Sequence, residues 1–103
     1  MGVNTYTLRD SSTATLGAAS AQLLAFSSSR SFLLIENTHA TNDVWVNLTG
    51  GTAAANGSGC ILLAKGNVAA SRILLNSGVP ANAITAISTG ANTTVTVIDN
   101  GVA

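Results

Sequence analysis

Charge is what this sequence has least of. Among its 103 residues, Lys and Arg supply 4 and Asp and Glu another 4, so 8% are charged, against about a quarter in ordinary soluble domains. Arg9, Arg30, Lys65 and Arg72 balance Asp10, Glu36, Asp43 and Asp99, and the formal net charge is zero. No basic cluster exists. Phosphate backbones are held by several Lys or Arg contacts at once, so no nucleic-acid partner is expected. Long apolar runs are missing as well. The longest are Phe32–Ile35 and Cys60–Ala64, far short of the ~20 residues of a spanning helix, so no membrane partner is expected.

Cysteine, histidine, proline and aromatics are equally sparse. Cys60 is the only cysteine, so no intrachain disulfide can staple the fold. Beside Ile61-Leu62-Leu63 it reads as a small buried hydrophobe. An activated thiol wants a cationic neighbour, and none lies nearer than Lys65. His39 is the only histidine and sits in the polar stretch Asn37-Thr38-His39-Ala40-Thr41-Asn42. A nucleophile needs a base steadied by a third group. His39 beside Cys60 or Asp43 is the only set on offer. Zinc needs three or four ligands, and calcium needs clustered oxygens. Asn37, Asn42 and Asp43 read instead as turn residues bonding their own backbone. Four scattered acids give no paired-carboxylate signal. No phosphate-binding glycine loop is present. No catalytic residue, cofactor or metal is therefore expected.

The opening Met-Gly-Val-Asn-Thr-Tyr has neither a basic region nor an apolar stretch, and no secretory signal is expected from it. Tyr6 stands where the myristoylation pattern wants Ser or Thr. The glycosylation triplets at Asn47, Asn56 and Asn92 read as accidents of an Asn- and Thr-rich composition.

What is present is turn chemistry and short β-branched segments. Hydrophobic residues make up 47%, enough for a core and too many for a disordered chain. Ser, Thr, Asn and Gly form the polar remainder. Such an uncharged coat, at zero net charge, leaves association weakly opposed. A specific assembly is expected in preference to a monomer with a neutral surface. Turn signals fall at 37–43, 49–51, 56–59, 65–67, 76–78, 89–92 and 100–101. Strands spaced in this way predict a sandwich or barrel.

The clearest strand is 43–48, with Val44, Val46 and Leu48 on one face and Trp45 and Asn47 on the other. Residues 93–98 alternate likewise, Val95 and Val97 against Thr94, Thr96 and Ile98. Phe32–Ile35 is continuously apolar and reads as a central strand covered on both faces. Further strands are expected at 73–75, 83–88 and, at the terminus, 4–8. The stretch 16–26 has helical spacing at Leu16, Ala19, Leu23 and Phe26, but Gly17 and crowded Ser and Thr favour a strand over 22–26. Pro80 sets a turn. Trp45 is the one aromatic of interest, and it is either core, subunit interface or a sugar platform.

The order of segments then becomes informative. Ser20-Ala21-Gln22-Leu23-Leu24-Ala25 precedes Arg30-Ser31-Phe32-Leu33-Leu34-Ile35-Glu36-Asn37. Val44-Trp45-Val46-Asn47, Gly59-Cys60-Ile61-Leu62-Leu63-Ala64-Lys65-Gly66 and Val79-Pro80-Ala81-Asn82-Ala83-Ile84-Thr85-Ala86-Ile87-Ser88 follow. Thr93-Thr94-Val95-Thr96-Val97-Ile98 closes the series. Over roughly residues 12–98 this resembles small structural proteins of tailed bacteriophages. The resemblance implies a β-sandwich module of the virion that works by binding: a capsid decoration (cement) protein, or a neck, tail or fibre component. It implies the major capsid protein or other virion proteins as partners, and a homo-oligomer, with trimers at capsid three-fold sites as one form. It transfers no catalytic residue. The phrase from Arg30 to Asn37 looks structural: a buried strand entered by an arginine and left by an Asn turn.

The expected protein is thus all-β, a single antiparallel β-sandwich of jelly-roll or immunoglobulin-like type with about 7–8 short strands. Residues 1–12 form an N-terminal arm or edge strand and residues 13–103 the sandwich. The expected contact residues are Tyr6, Arg9 and Asp10 on the arm, and Trp45. A receptor- or carbohydrate-binding module on a tail or fibre is the rival reading.

Overall fold

The computed structural model describes residues 7–100, which form two packed antiparallel sheets. The strands are β1 (Arg9–Asp10), β2 (Thr13–Leu16), β3 (Ala21–Leu24), β4 (Leu33–Asn37), β5 (Val44–Asn47), β6 (Cys60–Leu63), β7 (Arg72–Leu75), β8 (Ile84–Ser88) and β9 (Thr93–Asp99). Among the described residues the only helical piece is a 3-10 turn at Ala69–Ser71. None is long and apolar enough to cross a membrane.

One sheet runs β1-β9-β4-β7, with β2 also on β9; the other runs β3-β8-β5-β6. Four nested antiparallel pairs organise the chain: β2 with β9, β3 with β8, β4 with β7, β5 with β6. The chain is therefore one long hairpin, closed at β5–β6 and rolled up. Rolling brings β9 onto β4 and β8 onto β5 as second neighbours. Eight strands wound in this way make a jelly roll, and the immunoglobulin order is not followed. The two-residue β1 extends the edge beyond β2.

Alternation decides which side chains fill the space between the sheets. Leu33, Ile35, Val44, Val46, Leu63, Ile84, Ala86, Val95 and Val97 are buried there, closed off by Leu16 and Leu24. Val44 and Val46 point inward with Trp45 outward, and Val95 and Val97 point inward with Thr94, Thr96 and Ile98 outward, as the two clearest periodicities require.

Several expectations need correction. The strand through Phe32–Ile35 is central, but it is covered on one face only. Leu33, Ile35 and Asn37 are buried, while Leu34 and Glu36 are half-exposed on the outside. Its apolar run belongs to an antiparallel sheet with an apolar outer row, not to a layer covered twice. The 16–26 segment holds no helix. It gives the last residue of β2 and the whole of β3, and Phe26 lies beyond β3 at 66% exposure. Residues 4–6 of the expected terminal strand, and Tyr6 with them, lie outside the described residues. Thr7 and Leu8 are not in a strand, and the first strand is Arg9–Asp10. β2 and β6 were not expected as strands.

The turns follow their chemistry. Asn56, Asn67 and Asn92 take left-handed backbone (φ 55, 53 and 54), a conformation Asn tolerates better than other side chains. Gly90 answers to space instead. A Cβ there would lie 2.6 Å from Asn42 Nδ2, so a larger residue would displace the Asn42 amide that donates to Thr93.

Candidate interaction surfaces

The two ends of the sandwich are closed by polar side chains. At one end Asp99, fully buried, accepts from Arg9 Nε (2.7 Å) and Nη2 (3.2 Å) and from Arg30 Nε (3.2 Å). Arg30 also donates to the carbonyls of Pro80 (2.9 Å), Asn82 (3.1 Å) and Ala25 (2.7 Å). It thus ties the β3–β4 and β7–β8 connections to the last strand. Asn100 accepts from the N–H groups of Ser31 and Phe32. The hydrogen bond to Asp99 raises the Arg9 pKa above its ordinary value, against a small opposing desolvation.

At the other end Asn37, also fully buried, donates to the carbonyls of Asn42 (2.8 Å) and Leu63 (2.9 Å) and accepts from His39 N–H. His39 Nδ1 accepts from the N–H groups of Thr41 and Asn42. Asn42 donates to Thr93, whose hydroxyl also meets Ser88 and the carbonyl of Gly90. The strand entered by an arginine and left by an Asn turn is present as read, with both residues acting on the fold.

The titratable groups are dispersed by these roles. His39 precedes β5, while Cys60 pairs with Asn47 at the other end of that strand, roughly 10 Å away at strand rise. Cys60 Sγ meets Ala54 N–H and the Ser58 carbonyl. Asp43 accepts from Lys65 N–H, and Glu36 pairs with Arg72 at 2.7 Å. Among the described residues no three metal-ligating side chains converge, and no pocket opens.

The outer faces carry two apolar rows, while Leu8, Phe26 and Val68 are exposed outside the strands. On the β3-β8-β5-β6 sheet, Trp45 lies beside Leu62 on one neighbour and Ile87 on the other. Leu62 is 40% exposed, and Trp45 and Ile87 are half-buried. The next row, Cys60–Asn47–Thr85, is covered. The β5–β6 loop folds back over it as a strap, with Thr85 Oγ1 donating to the Gly51 carbonyl (2.7 Å) and Asn47 Nδ2 to the Thr52 carbonyl (3.2 Å). Ala53 N–H reaches Ser20 Oγ, and Ala53 itself is buried. Trp45 is therefore the centre of an apolar row bordered by the strap. On the opposite sheet, Leu34 lies between Leu74 and Ile98, and Leu74 is 54% exposed.

The expected contact residues do not form one site. Arg9 plugs one end, Asp10 turns outward on β1, and Trp45 lies on the outer face of the other sheet. Sequence reading missed Leu74, Leu34, Leu62 and Ile87. The alternation of residues 93–98 had already placed Ile98 outward, and only the cross-strand register joins it to Leu34 and Leu74.

The class that the fold defines is a single jelly-roll sandwich. In comparisons with known proteins, no family model, curated protein or solved structure matches the chain.

Proposed function

We propose that this protein is a non-enzymatic structural module of a tailed-bacteriophage virion, a decoration (cement) protein that binds the major capsid protein on the head shell. The observation that carries this reading is the division of labour among its side chains. Arg9, Arg30, Asp99, Asn37, His39, Glu36 and Arg72 hold strands and loops to one another. What faces outward is a Ser-, Thr- and Asn-rich coat interrupted by two apolar rows. Jelly rolls are a common architecture of viral shells, and the resemblance of residues 12–98 points the same way. Binding across the joints of an assembled shell, and not to free subunits, stabilises the shell by mass action.

The test is co-sedimentation with expanded heads of the phage that encodes the chain, followed by heating. Saturable binding and a raised disruption temperature are expected. Absence of binding to heads overturns the reading.

A second reading is a receptor- or carbohydrate-binding module of a tail or fibre. Trp45, half-exposed beside Leu62, favours it, because sugars stack on such aromatic faces. A glycan array separates the two: a hit abolished by Trp45→Ala supports the second reading, and a blank array counts against it.

A further inference from the structure

Four edges flank the two sheets, and they are not equally protected. An open edge presents unpaired N–H and C=O groups, and proteins blunt such edges with bulges, breaks or covering segments. The β1/β2 edge is broken at residues 11–12, where Ser12 Oγ takes the place of a ladder carbonyl for Val97 N–H, and its register shifts again within β2. β3 shifts register between Gln22 and Leu24. β6 is tied off at both ends: Cys60 N–H bonds the Gly57 carbonyl and Ala64 N–H the Ala70 carbonyl, while Ser71 Oγ donates to the Ala64 carbonyl. β7 has none of these devices. It runs in unbroken register on β4, from Arg72 on Glu36 to Leu75 on Leu33.

The hydrogen-bonding direction of β7 follows from its neighbour. Thr38 N–H bonds the Thr94 carbonyl and Phe32 N–H bonds Asn100, both on the β9 side of β4. Backbone groups alternate along a strand, so Leu33 and Ile35 turn theirs toward β7. Their partners Leu75 and Ile73 bond inward. Arg72 and Leu74 therefore present N–H and C=O to the free edge. Among the described residues nothing bonds to that side.

We propose that the β7 edge docks a second copy of this chain, antiparallel, about a two-fold axis through Leu74. Opposed residues of an antiparallel pair keep their side chains on the same face whether or not the pair is hydrogen-bonded, so the axis can pass through any residue of β7. An axis at Ile73 or Leu75 sets Leu74 against Arg72 or Asn76 of the copy and leaves the two apolar rows unjoined. An axis at Arg72 sets each guanidinium against its copy, and directly opposed like charges destabilise a sheet. An axis at Leu74 sets Arg72 against Asn76 of the copy and Ile73 against Leu75. It also joins the row Ile98–Leu34–Leu74 to the same row of the copy, covering the 54% exposed Leu74. Zero net charge leaves the approach unopposed. This is an isologous contact, two-fold in place of the three-fold association that the resemblance implies, and it does not rest on the virion reading.

Sedimentation velocity over a concentration series tests it. The full chain is expected to dimerise, and Leu74→Lys to raise the dimer dissociation constant at least about tenfold with unchanged circular dichroism and, at concentrations where both are monomeric, an unchanged thermal midpoint. Leu62→Lys, on the protected β6 edge, is expected to leave it unchanged. A second variant does not depend on weakening anything. Hydrogen-bonded antiparallel partners lie ~5.5 Å apart at Cα, within the range a disulfide spans. C60A/L74C is therefore expected to oxidise to a covalent dimer, and C60A/L62C is not. A chain monomeric at every concentration up to its solubility limit, a dimer indifferent to Leu74→Lys, or equal crosslinking at 62 and 74 overturns the proposal.

Discussion

Arg30 and Asp99 meet at 3.2 Å inside one end of the sandwich, and neither side chain reaches solvent. Both charges are withdrawn from water, so each depends on the other and on the three carbonyls that Arg30 gathers. Removing one partner of such a pair leaves an uncompensated buried charge. Asp99→Asn is expected to cost about 3–5 kcal/mol, read from chemical denaturation. Arg9→Ala, at a guanidinium 37% exposed, is expected to cost no more than about 1 kcal/mol. Equal costs would show that Arg9, and not the buried Arg30, accounts for the carboxylate's contribution.

The opposite end makes a parallel demand. Asn37 spends two donors on the Asn42 and Leu63 carbonyls and its oxygen on His39 N–H. Asn37→Ala is expected to cost roughly 2–3 kcal/mol, because buried carbonyls lose their partner. Asn37→Asp should be worse, since an ionised carboxylate has no hydrogen to donate to them. Denaturant midpoints of the two variants check the order.

Acid sensitivity has an identifiable contributor. Hydrogen bonds from Ser12, its hydroxyl foremost and its N–H at 2.8 Å, hold the Asp10 carboxyl below the usual aspartate value. A lowered folded-state pKa adds stability above the unfolded value, about 3.9, and that stability is lost as pH falls through the folded value. Asp10→Asn is therefore expected to flatten the stability curve below about pH 4. The slope should change little if Asp10 is idle. The effect is small, because the side chain is exposed.

Inner and outer positions of β4 should differ sharply. Ile35→Ala opens a cavity between the sheets and is expected to cost about 2–5 kcal/mol. Leu34→Ala, on the half-exposed outer row, is expected to cost less than half as much by the same thermal-unfolding measurement. Equal losses would mean that the outer face is covered in the isolated protein.

Much of this fold was legible from alternation and turns. Val44 and Val46 alternate with Trp45 and Asn47, and Val95 and Val97 alternate with Thr94 and Thr96, so both strands revealed their inward faces. Asn56, Asn67 and Asn92 fall in stretches read as turns, and the structure adds that each is left-handed. β2 escaped notice because Thr13-Ala14-Thr15-Leu16 has a single large apolar residue, Leu16, and its partner β9 lies far along the chain. β6 escaped because Ile61 and Leu62 are both about 40% exposed, so its run does not alternate. The polar plugs were illegible for another reason. Arg9 and Asp99 are 90 residues apart, and nothing local to either announces the other. The apolar outer rows likewise exist only across strands. Residue periodicity shows a side chain's face but not its neighbour on the next strand.

The nesting of the strands also sets an order of events. β9, the last strand made, lies in the middle of its sheet, between β4 and the β1/β2 edge. Until Thr93–Asp99 emerges from the ribosome, β4 has only β7 beside it, Arg30 lacks its counter-ion, and β2 has no partner strand. Only the β5–β6 hairpin can form from adjacent chain. A domain whose pairings are this non-local folds slowly once complete, and it passes through synthesis with its apolar faces bare. A chain truncated before β9 is therefore expected to be recovered in the insoluble fraction, and the full chain in the soluble one.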